Sequence, residues 1–341
     1  MPVTRLTLLI ERLPVLIDCA DPEVRYAALE WVLARGAATT VQTANPDALR
    51  CRLFGLDTGA ELPVGALTWL ADRGHEAEAV HHEYVLRVEP VTLKADLTRV
   101  IMTGHGMDHL AERAQREIAD SVKAVLRQEG LVLQADPSQH WTVTLADHPG
   151  FEFPTLHQAL GADIADVMPG QPEARNWRRL ANEIQMALHA TEANNRLREH
   201  GLPEINSVWF WGGGRLPAPV DSSHYRTVFA NQPVSRGLAI LQGNEVHPLD
   251  ALKTLGSTAE DQKILVDWLP EKTTPAEELG RLEQLIDSLL PQVRAGKTEL
   301  NLVGGDGRGW TVNRLSGWQF WKRLLPLAEF RQQMKDPQLD D

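Results

Sequence analysis

The chain has 341 residues, 43% of them hydrophobic, and a formal net charge of −12 at pH 7. This length allows one large core and a second, smaller one. The acidic balance disfavours nucleic-acid binding through phosphate contacts, and no apolar run approaches the roughly 18 residues of a membrane span. Two cysteines exclude a disulfide scaffold, and no signal peptide is evident, so we expect a cytoplasmic protein.

The N-terminal part alternates a short apolar run with helical segments. A strand is predicted at 6–10 and a helix at 22–34, which Gly36 ends. Further helical or mixed segments are predicted at 44–55 and 64–72.

A small α+β domain is predicted at 81–147, inserted between two parts of a larger domain, 1–80 and 148–335. Two strands, a long amphipathic helix and two more strands form a layer that covers one face of a sheet. These elements are the strands 84–93 and 97–102, the helix 110–128, and the strands 131–134 and 141–145.

The most informative stretch is 176–219. Apolar residues recur at spacings of three and four from Trp177 to Leu188, which predicts a helix with one buried face. The run 205–211 is rich in β-branched and aromatic residues and predicts a strand of a parallel sheet, buried on both faces. Gly212-Gly213-Gly214-Arg215 follows, and a glycine run at a strand end lets backbone N–H groups approach an anion. The alternative is a flexible turn.

In the C-terminal part, predicted strands alternate with predicted helices, which indicates a mostly parallel sheet covered on both faces. The strands are predicted at 228–230, 237–241, 264–269 and 298–303, and the helices at 251–255, 275–290 and 310–330.

Three groups of residues in the stretch 176–219 resemble a known family: Asn182 to Met186, then Asn194 shortly after His189, and then Asn206 to Gly214. They resemble the phosphoglycerate-mutase-like regulatory proteins called RpfE type. Those are similar in turn to the archaeal-type cofactor-independent phosphoglycerate mutases of the alkaline phosphatase superfamily. The resemblance implies an alkaline-phosphatase-like α/β core, with a mostly parallel sheet and helices on both faces, plus a small inserted α+β domain.

The resemblance also implies a catalytic centre with two divalent metals, such as manganese, and a serine nucleophile. It places Glu11 near the first metal aspartate, Asn45-Pro46-Asp47 near the nucleophile, and Asp267 and Asp306 at the starts of two metal motifs. However, the first 99 residues contain no serine, and no histidine follows His247. A metal-activated alkoxide needs a hydroxyl at the metal. We therefore predict no catalytic residues, no metal ligands and no cofactor, and interpret Asp306 as a turn residue.

One other group has metal-ligand spacing. His105, Asp108 and His109 lie close together, with the histidines four residues apart as on one helix face. The alternative is the first turn of a helix with a capping aspartate, and no further ligand is evident. No metal is predicted there.

The predicted ligand is a small phosphorylated or carboxylated metabolite, held by polar side chains and the glycine run. The alternative is that the polar side chains at the edge of the helix bond only to backbone. The predicted ligand-binding residues are Asn182, Gln185, His189, Asn194, Asn206, Trp209, Trp211, Gly212, Gly213, Gly214 and Arg215.

Three functions remain open at this point. The first is a catalytically degenerate, phosphoglycerate-mutase-like protein that regulates or binds a small anion. The second is an active metal-dependent mutase or phosphatase. The third is a protein–protein interaction module in which the tryptophans form a surface patch.

Overall fold

The computed structural model describes residues 3–43, 45–56, 62–74, 83–96, 98–135, 140–219, 225–254, 262–270, 273–319 and 321–330. The chain forms two compact units, one of residues 1–57 and 219–341 and one of residues 58–218. The second unit contains the predicted insertion 81–147 and extends past it at both ends.

The described residues form strands and helices in both units. The strands are β1 (Thr4–Ile10), β2 (Ala37–Thr40), β3 (Tyr84–Asp96), β4 (Arg99–His105), β5 (Leu133–Gln134), β6 (Thr142–Leu145), β7 (Ser207–Gly214), β8 (Thr227–Ala230), β9 (Glu245–His247), β10 (Lys263–Asp267), β11 (Thr298–Gly304) and β12 (Arg308–Val312). The helices are α1 (Leu13–Asp18), α2 (Ala27–Arg35), α3 (Pro46–Leu53), α4 (Val64–Arg73), α5 (Glu112–Gln128), α6 (Leu156–Ala159), α7 (Ile164–Val167), α8 (Ala174–His189), α9 (Glu192–Glu199), α10 (Pro233–Leu241) and α11 (Pro275–Arg294), with 3-10 turns at Leu249–Thr254 and Arg314–Trp318.

The first unit is built on a seven-stranded sheet in the order β2-β12-β11-β1-β10-β8-β9. The five strands from β11 to β9 are parallel, and β12 and β2 add an antiparallel edge. Parallel strands are buried on both faces, and every residue of β1 except Arg5 is buried. The predicted fold class, a mostly parallel sheet flanked by helices, is confirmed.

Helix α11 shows why the predicted helices form where they do. Thr274 and Glu277 make a capping box, and Pro275 occupies the first turn, where its missing N–H costs nothing. Apolar side chains then recur with helical spacing and join the core of the first unit. The buried ones are Leu279, Leu282, Ile286, Leu289, Leu290 and Val293.

The second unit is built on an antiparallel sheet in the order β4-β3-β6-β5, with β7 on β3. Helices α5 and α8 pack together, and their apolar faces share one hydrophobic cluster with β3 and β7. The predicted elements of the insertion are present, although the helix begins at Glu112 rather than at residue 110.

The prediction that 205–211 is a strand of the parallel sheet is wrong. Strand β7 pairs antiparallel with β3, with Phe210 opposite Val88, and it includes the three glycines. A fully buried central strand has the same apolar pattern in a parallel and in an antiparallel sheet. The sheet that it joins depends on partners distant in the chain, which the local pattern does not reveal.

Three other predictions are corrected. Residues 237–241 belong to helix α10, which Gln232 caps and Pro233 opens, because a short apolar run does not separate strand from helix. Residues 310–330 do not form one helix, since Trp310 lies in β12 and a 3-10 turn follows at Arg314–Trp318. The predicted helix 22–34 begins only at Ala27. No helix among the described residues is long and apolar enough to span a membrane.

Candidate functional site

Acidic side chains collect where the parallel strands of the first unit end. Glu11 follows the last residue of β1, and Asp267 is the last residue of β10. The register places Leu9 beside Asp267 and Ile10 beside Gly304, so the neighbouring strands end at the same edge. In open α/β sheets this edge is where ligands bind.

Helix α3 adds a third acid and a cation to this edge. The Asn45 side chain caps the helix by accepting a hydrogen bond from Ala48 N at 2.9 Å, and Pro46 occupies the first turn. Asp47 follows, and Arg50 lies one turn further along, with a side chain only 1% exposed. A buried arginine is rare unless it is paired.

Arg50 contacts all three carboxylates. Its Nε donates to Asp267 Oδ2 at 2.8 Å, and its Nη2 donates to Asp267 Oδ1 at 3.3 Å and to Glu11 Oε2 at 2.6 Å. Its Nη1 donates to Asp47 Oδ1 at 3.3 Å. We call Arg50, Glu11, Asp47 and Asp267 the Arg50 cluster.

The Arg50 cluster is a charged group in a buried setting. Burial acts to lower the pKa of Arg50, but the charges of Asp267, Asp47 and Glu11 outweigh it and raise the pKa above the ordinary value. The guanidinium therefore stays charged at every physiological pH. Because one cation faces three carboxylates, the cluster keeps a formal excess of negative charge.

Two polar residues of the α10 segment complete the surroundings. Ser235 Oγ donates to Asp267 Oδ2 at 2.6 Å, and Gln232 Nε2 donates to Asp47 Oδ1 at 3.3 Å. Ser235 is fully buried, so its hydroxyl is inaccessible to a substrate. Its hydrogen-bond acceptor, Asp267, also accepts from Arg50 Nε at 2.8 Å.

The neighbouring thiol of Cys51 is no better suited to nucleophilic chemistry. Cys51 is 1% exposed, and burial raises its pKa to about 12. The thiolate is the reactive form of cysteine, so this side chain is inert at neutral pH.

The side chains present do not fit the two divalent ions that the resemblance implies. No imidazole contributes to the Arg50 cluster, and Arg50 occupies the space toward which its carboxylates converge. In the described part of the chain, no group of three or more His, Cys, Asp or Glu side chains is arranged to hold a metal ion. The fixed guanidinium repels a metal cation from the position toward which the carboxylates converge.

Asp306 takes the turn role that was predicted for it. Its Oδ1 accepts a hydrogen bond from Arg308 N at 3.2 Å, within the hairpin between β11 and β12. The glycines beside it are required by packing, since a Cβ on Gly305 would lie 2.2 Å from Glu11 O and one on Gly307 would lie 2.0 Å from Val41 O.

The predicted ligand-binding residues lie in the second unit, and several hold backbone segments together. Asn194 is fully buried, and its amide donates to Leu188 O and Ile205 O and accepts from Ile205 N. Asn206 makes the same kind of paired contact with the backbone of Leu93, at 2.7 and 2.8 Å. Trp209 Nε1 donates to Pro154 O at 2.9 Å.

The helix residues Asn182, Gln185 and His189 lie on the exposed side of α8. His189 and the exposed Arg215 contact protein groups: His189 O accepts from Arg198 at 3.1 Å, and Arg215 Nη2 donates to Ala146 O at 3.2 Å. All of these predicted residues lie in the second unit.

The glycine run is packed inside the second unit. A Cβ on Gly212 would lie 2.7 Å from Val64 Cβ, one on Gly213 would lie 2.4 Å from the Tyr84 hydroxyl, and one on Gly214 would lie 2.7 Å from Pro63 Cα. Close approach to α4 and β3 therefore accounts for the absence of side chains. Trp211 lies beside these glycines, beneath the Arg87 guanidinium at 5.4 Å from the ring centroid. The assignment of this whole set to a ligand stays a prediction.

His105 belongs to β4 and faces a buried carboxylate. Its Nδ1 lies 3.5 Å from Glu89 Oε1, and Glu89 also accepts from Arg87 at 2.7 Å. The hydrogen bond to Glu89 raises the pKa of His105, against the opposing effect of burial. The expectation of no metal at His105, Asp108 and His109 stays a prediction.

A curated protein of Geobacter sulfurreducens, described as a probable 2,3-bisphosphoglycerate-independent phosphoglycerate mutase, is 24% identical over 232 residues. The match covers 65% of this chain and 56% of that protein, so the chain spans just over half the length of the curated relative. The chain is similar to phosphoglycerate mutases. No protein-family model matches it.

One solved structure extends the likeness to the fold. The PH0037 protein of Pyrococcus horikoshii matches with a TM-score of 0.54 and 13% identity, over 92% of this chain and 87% of that chain. A cofactor-independent phosphoglycerate mutase of Thermoplasma acidophilum matches with a TM-score of 0.43 and 15% identity, over 92% and 89%. The chain shares its fold with the PH0037 protein. The finer resemblance to RpfE type proteins stays a prediction.

Sequence reasoning missed the cation of the site. Glu11, Asp47 and Asp267 were each singled out, but Arg50, Ser235 and Gln232 were not. The resemblance places these three acids at one catalytic centre, and buried acids that meet need a compensating charge, which was the available signal. Arg50, one helical turn after Asp47, was the nearest candidate.

Proposed function

We propose that the chain is a catalytically degenerate, phosphoglycerate-mutase-like protein that acts as a regulatory or small-metabolite-binding protein. The observation that carries this proposal is the buried Arg50 guanidinium, bound to Asp267 at 2.8 Å and to Glu11 at 2.6 Å. These are the acids that the sequence resemblance assigns to metal binding.

The chemistry of phosphoryl transfer supports the proposal. Metal-assisted transfer to an enzyme nucleophile needs an accessible hydroxyl beside the metal. Pro46 stands at the nucleophile position and has no hydroxyl, and Ser235 is buried with its hydroxyl bonded to Asp267. The carboxylates that would bind metal are instead bound to Arg50, a side chain whose charge does not titrate.

The test uses the purified full chain. We expect no stoichiometric divalent metal by elemental analysis, and no conversion of 3-phosphoglycerate with added Mn²⁺. A true mutase assayed in parallel shows that the assay detects turnover. Two bound metals per chain, or turnover above background, would overturn the proposal and support the active metal-dependent mutase that the Geobacter sulfurreducens relative favours.

The proposed ligand is a small phosphorylated or carboxylated metabolite bound in the second unit. Arg215 supplies an exposed cation next to the glycine run, as such a ligand requires. A thermal-shift screen of these metabolites tests it, because a ligand of the native state raises the unfolding midpoint. The shift should disappear in R215A and persist in R226A, which removes an arginine of the first unit. No shift with any compound would contradict the ligand-binding role.

A specific observation favours the interaction module as the second candidate. Leu315, Trp318 and Trp321 are 64%, 74% and 69% exposed. Exposed large apolar side chains that lie near one another in the chain mark protein interaction surfaces. If copies of this chain pair through them, sedimentation will show concentration-dependent association that W318S/W321S abolishes. A monomer at every concentration would exclude self-association.

A further inference from the structure

The Arg50 cluster has the donor set of a cation site with the cation already supplied by the chain. Carboxylates from β1, α3 and β10 converge on one guanidinium, from residues 11, 47 and 267. Ser235 Oγ lies against Asp267 and adds an oxygen atom, whereas Gln232 contacts Asp47 through its amide nitrogen. Oxygen ligands of this kind suit Mg²⁺, Ca²⁺ and Mn²⁺.

We propose that Arg50 stands in the place of a metal ion and that removing its charge converts the cluster into a site for one divalent cation. The wild-type chain then holds a permanent, metal-independent cation at this edge of the sheet. The charge of the wild-type Arg50 cluster therefore does not change when divalent metals or chelators are added.

Charge supports this inference. Without Arg50, three carboxylates would face one another in a buried space, and Asp267 is 0% exposed. Mutual repulsion and burial make that arrangement unfavourable unless a cation neutralises it. A divalent ion offers two positive charges where the guanidinium offered one, so the vacated set attracts it strongly.

Geometry supports it as well. Asp267 is fixed by burial and by Ser235, whereas the side chains of Asp47 and Glu11 are 21% and 33% exposed. The two partly exposed carboxylates have the freedom to close from guanidinium contacts of 2.6–3.3 Å to the roughly 2.1–2.5 Å of metal–oxygen bonds. They also provide the entry path that a cation needs.

The experiment compares R50A with the wild-type chain by electron paramagnetic resonance during a Mn²⁺ titration. We expect R50A to bind one Mn²⁺ per chain at least about tenfold more tightly than the wild type. R50K keeps a cation in the cluster and should bind no more tightly than the wild type. R50A/D267N removes the buried ligand and should lose the gain.

A second variant guards against loss of folding. R50Q keeps an amide donor toward Asp267, brings an additional carbonyl oxygen and lacks the charge, so it should bind Mn²⁺ as R50A does. A folded R50A or R50Q, checked by circular dichroism, that binds Mn²⁺ no better than the wild type would overturn the inference. Equal binding by R50K would overturn it too, because charge would then not be the cause.

This inference rests on the proposed function only in taking the wild-type cluster as metal-free. Different results contradict the proposed function and this inference. Turnover or metal content in the wild-type chain contradicts the proposed function, whereas absence of Mn²⁺ binding in R50A, with an inactive wild type, contradicts only the inference.

Discussion

The substitution D267N tests whether the Arg50 cluster holds the first unit together. Asparagine keeps the volume of Asp267 but removes the charge that receives Arg50 Nε at 2.8 Å and Nη2 at 3.3 Å. Breaking a buried ion pair by removing one partner costs about 3–5 kcal/mol, because the other charge stays buried. Glu11 and Asp47 remain as partners, so we expect the lower end, about 3 kcal/mol, or a factor above about a hundred in the folding equilibrium.

Urea unfolding followed by circular dichroism measures this loss, as a lower midpoint at an unchanged slope. The matched control is D306N, at an exposed turn position where asparagine accepts the same backbone hydrogen bond. The control should change stability by less than about 0.5 kcal/mol. If D267N costs under about 1 kcal/mol, the buried pairing of Arg50 is not what the distances indicate.

Three further predictions concern particular positions. G212A should lower the free energy of unfolding by about 2 kcal/mol or more, because Gly212 has φ +61° and a Cβ would lie 2.7 Å from a side chain. In the same urea assay G104A should be near neutral, since a Cβ there meets nothing closer than 3.9 Å. Equal losses in the two variants would contradict the packing role of Gly212. The contact that raises the pKa of His105 stabilises the fold below pH 6.5, and this stabilisation is lost as pH rises through the pKa of the folded state. The wild type should therefore have a higher urea midpoint than H105Q, with a difference that is largest near pH 6 and shrinks above it. A difference that does not change with pH would contradict this prediction. A thiol reagent at pH 8 should label the exposed Cys19 in the native chain and spare Cys51, whose pKa is about 12, until urea is added. Rapid labelling of both cysteines in the native chain would show that Cys51 is accessible.

The fold was predictable where local chemistry and burial agree. Strand β1 ends in the buried apolar residues Leu8, Leu9 and Ile10, and α11 has both a capping box and a helical apolar stripe, so each has one stable role. Strand β7 was predicted as a strand and assigned to the wrong sheet, since its apolar run suits a central strand of either sheet. The partner that decides, β3, lies over a hundred residues earlier, as Asn206 bonding to Leu93 illustrates.

The resemblance located the acids of the Arg50 cluster and not its cation. Glu11 and Asp267 end neighbouring strands, and strand ends meet at one edge of a parallel sheet. The pairing of Arg50 with Asp267 spans 217 positions and depends on which face of α3 turns toward β10. Asp47, one helical turn before Arg50, was a local sign of a charge pair, but it does not reveal Asp267 as the second partner. Ser235, just before the residues predicted as a strand, carried no local sign of its contact with Asp267.

The central claim is that a guanidinium fills the place of a metal at the end of the parallel sheet. Anomalous scattering from crystals of the wild-type chain soaked in Mn²⁺ tests it most directly. We predict no manganese peak in contact with Asp267 and clear density for Arg50 on that carboxylate. A manganese peak bound by Asp267 and Glu11, with Arg50 turned away, would contradict the account.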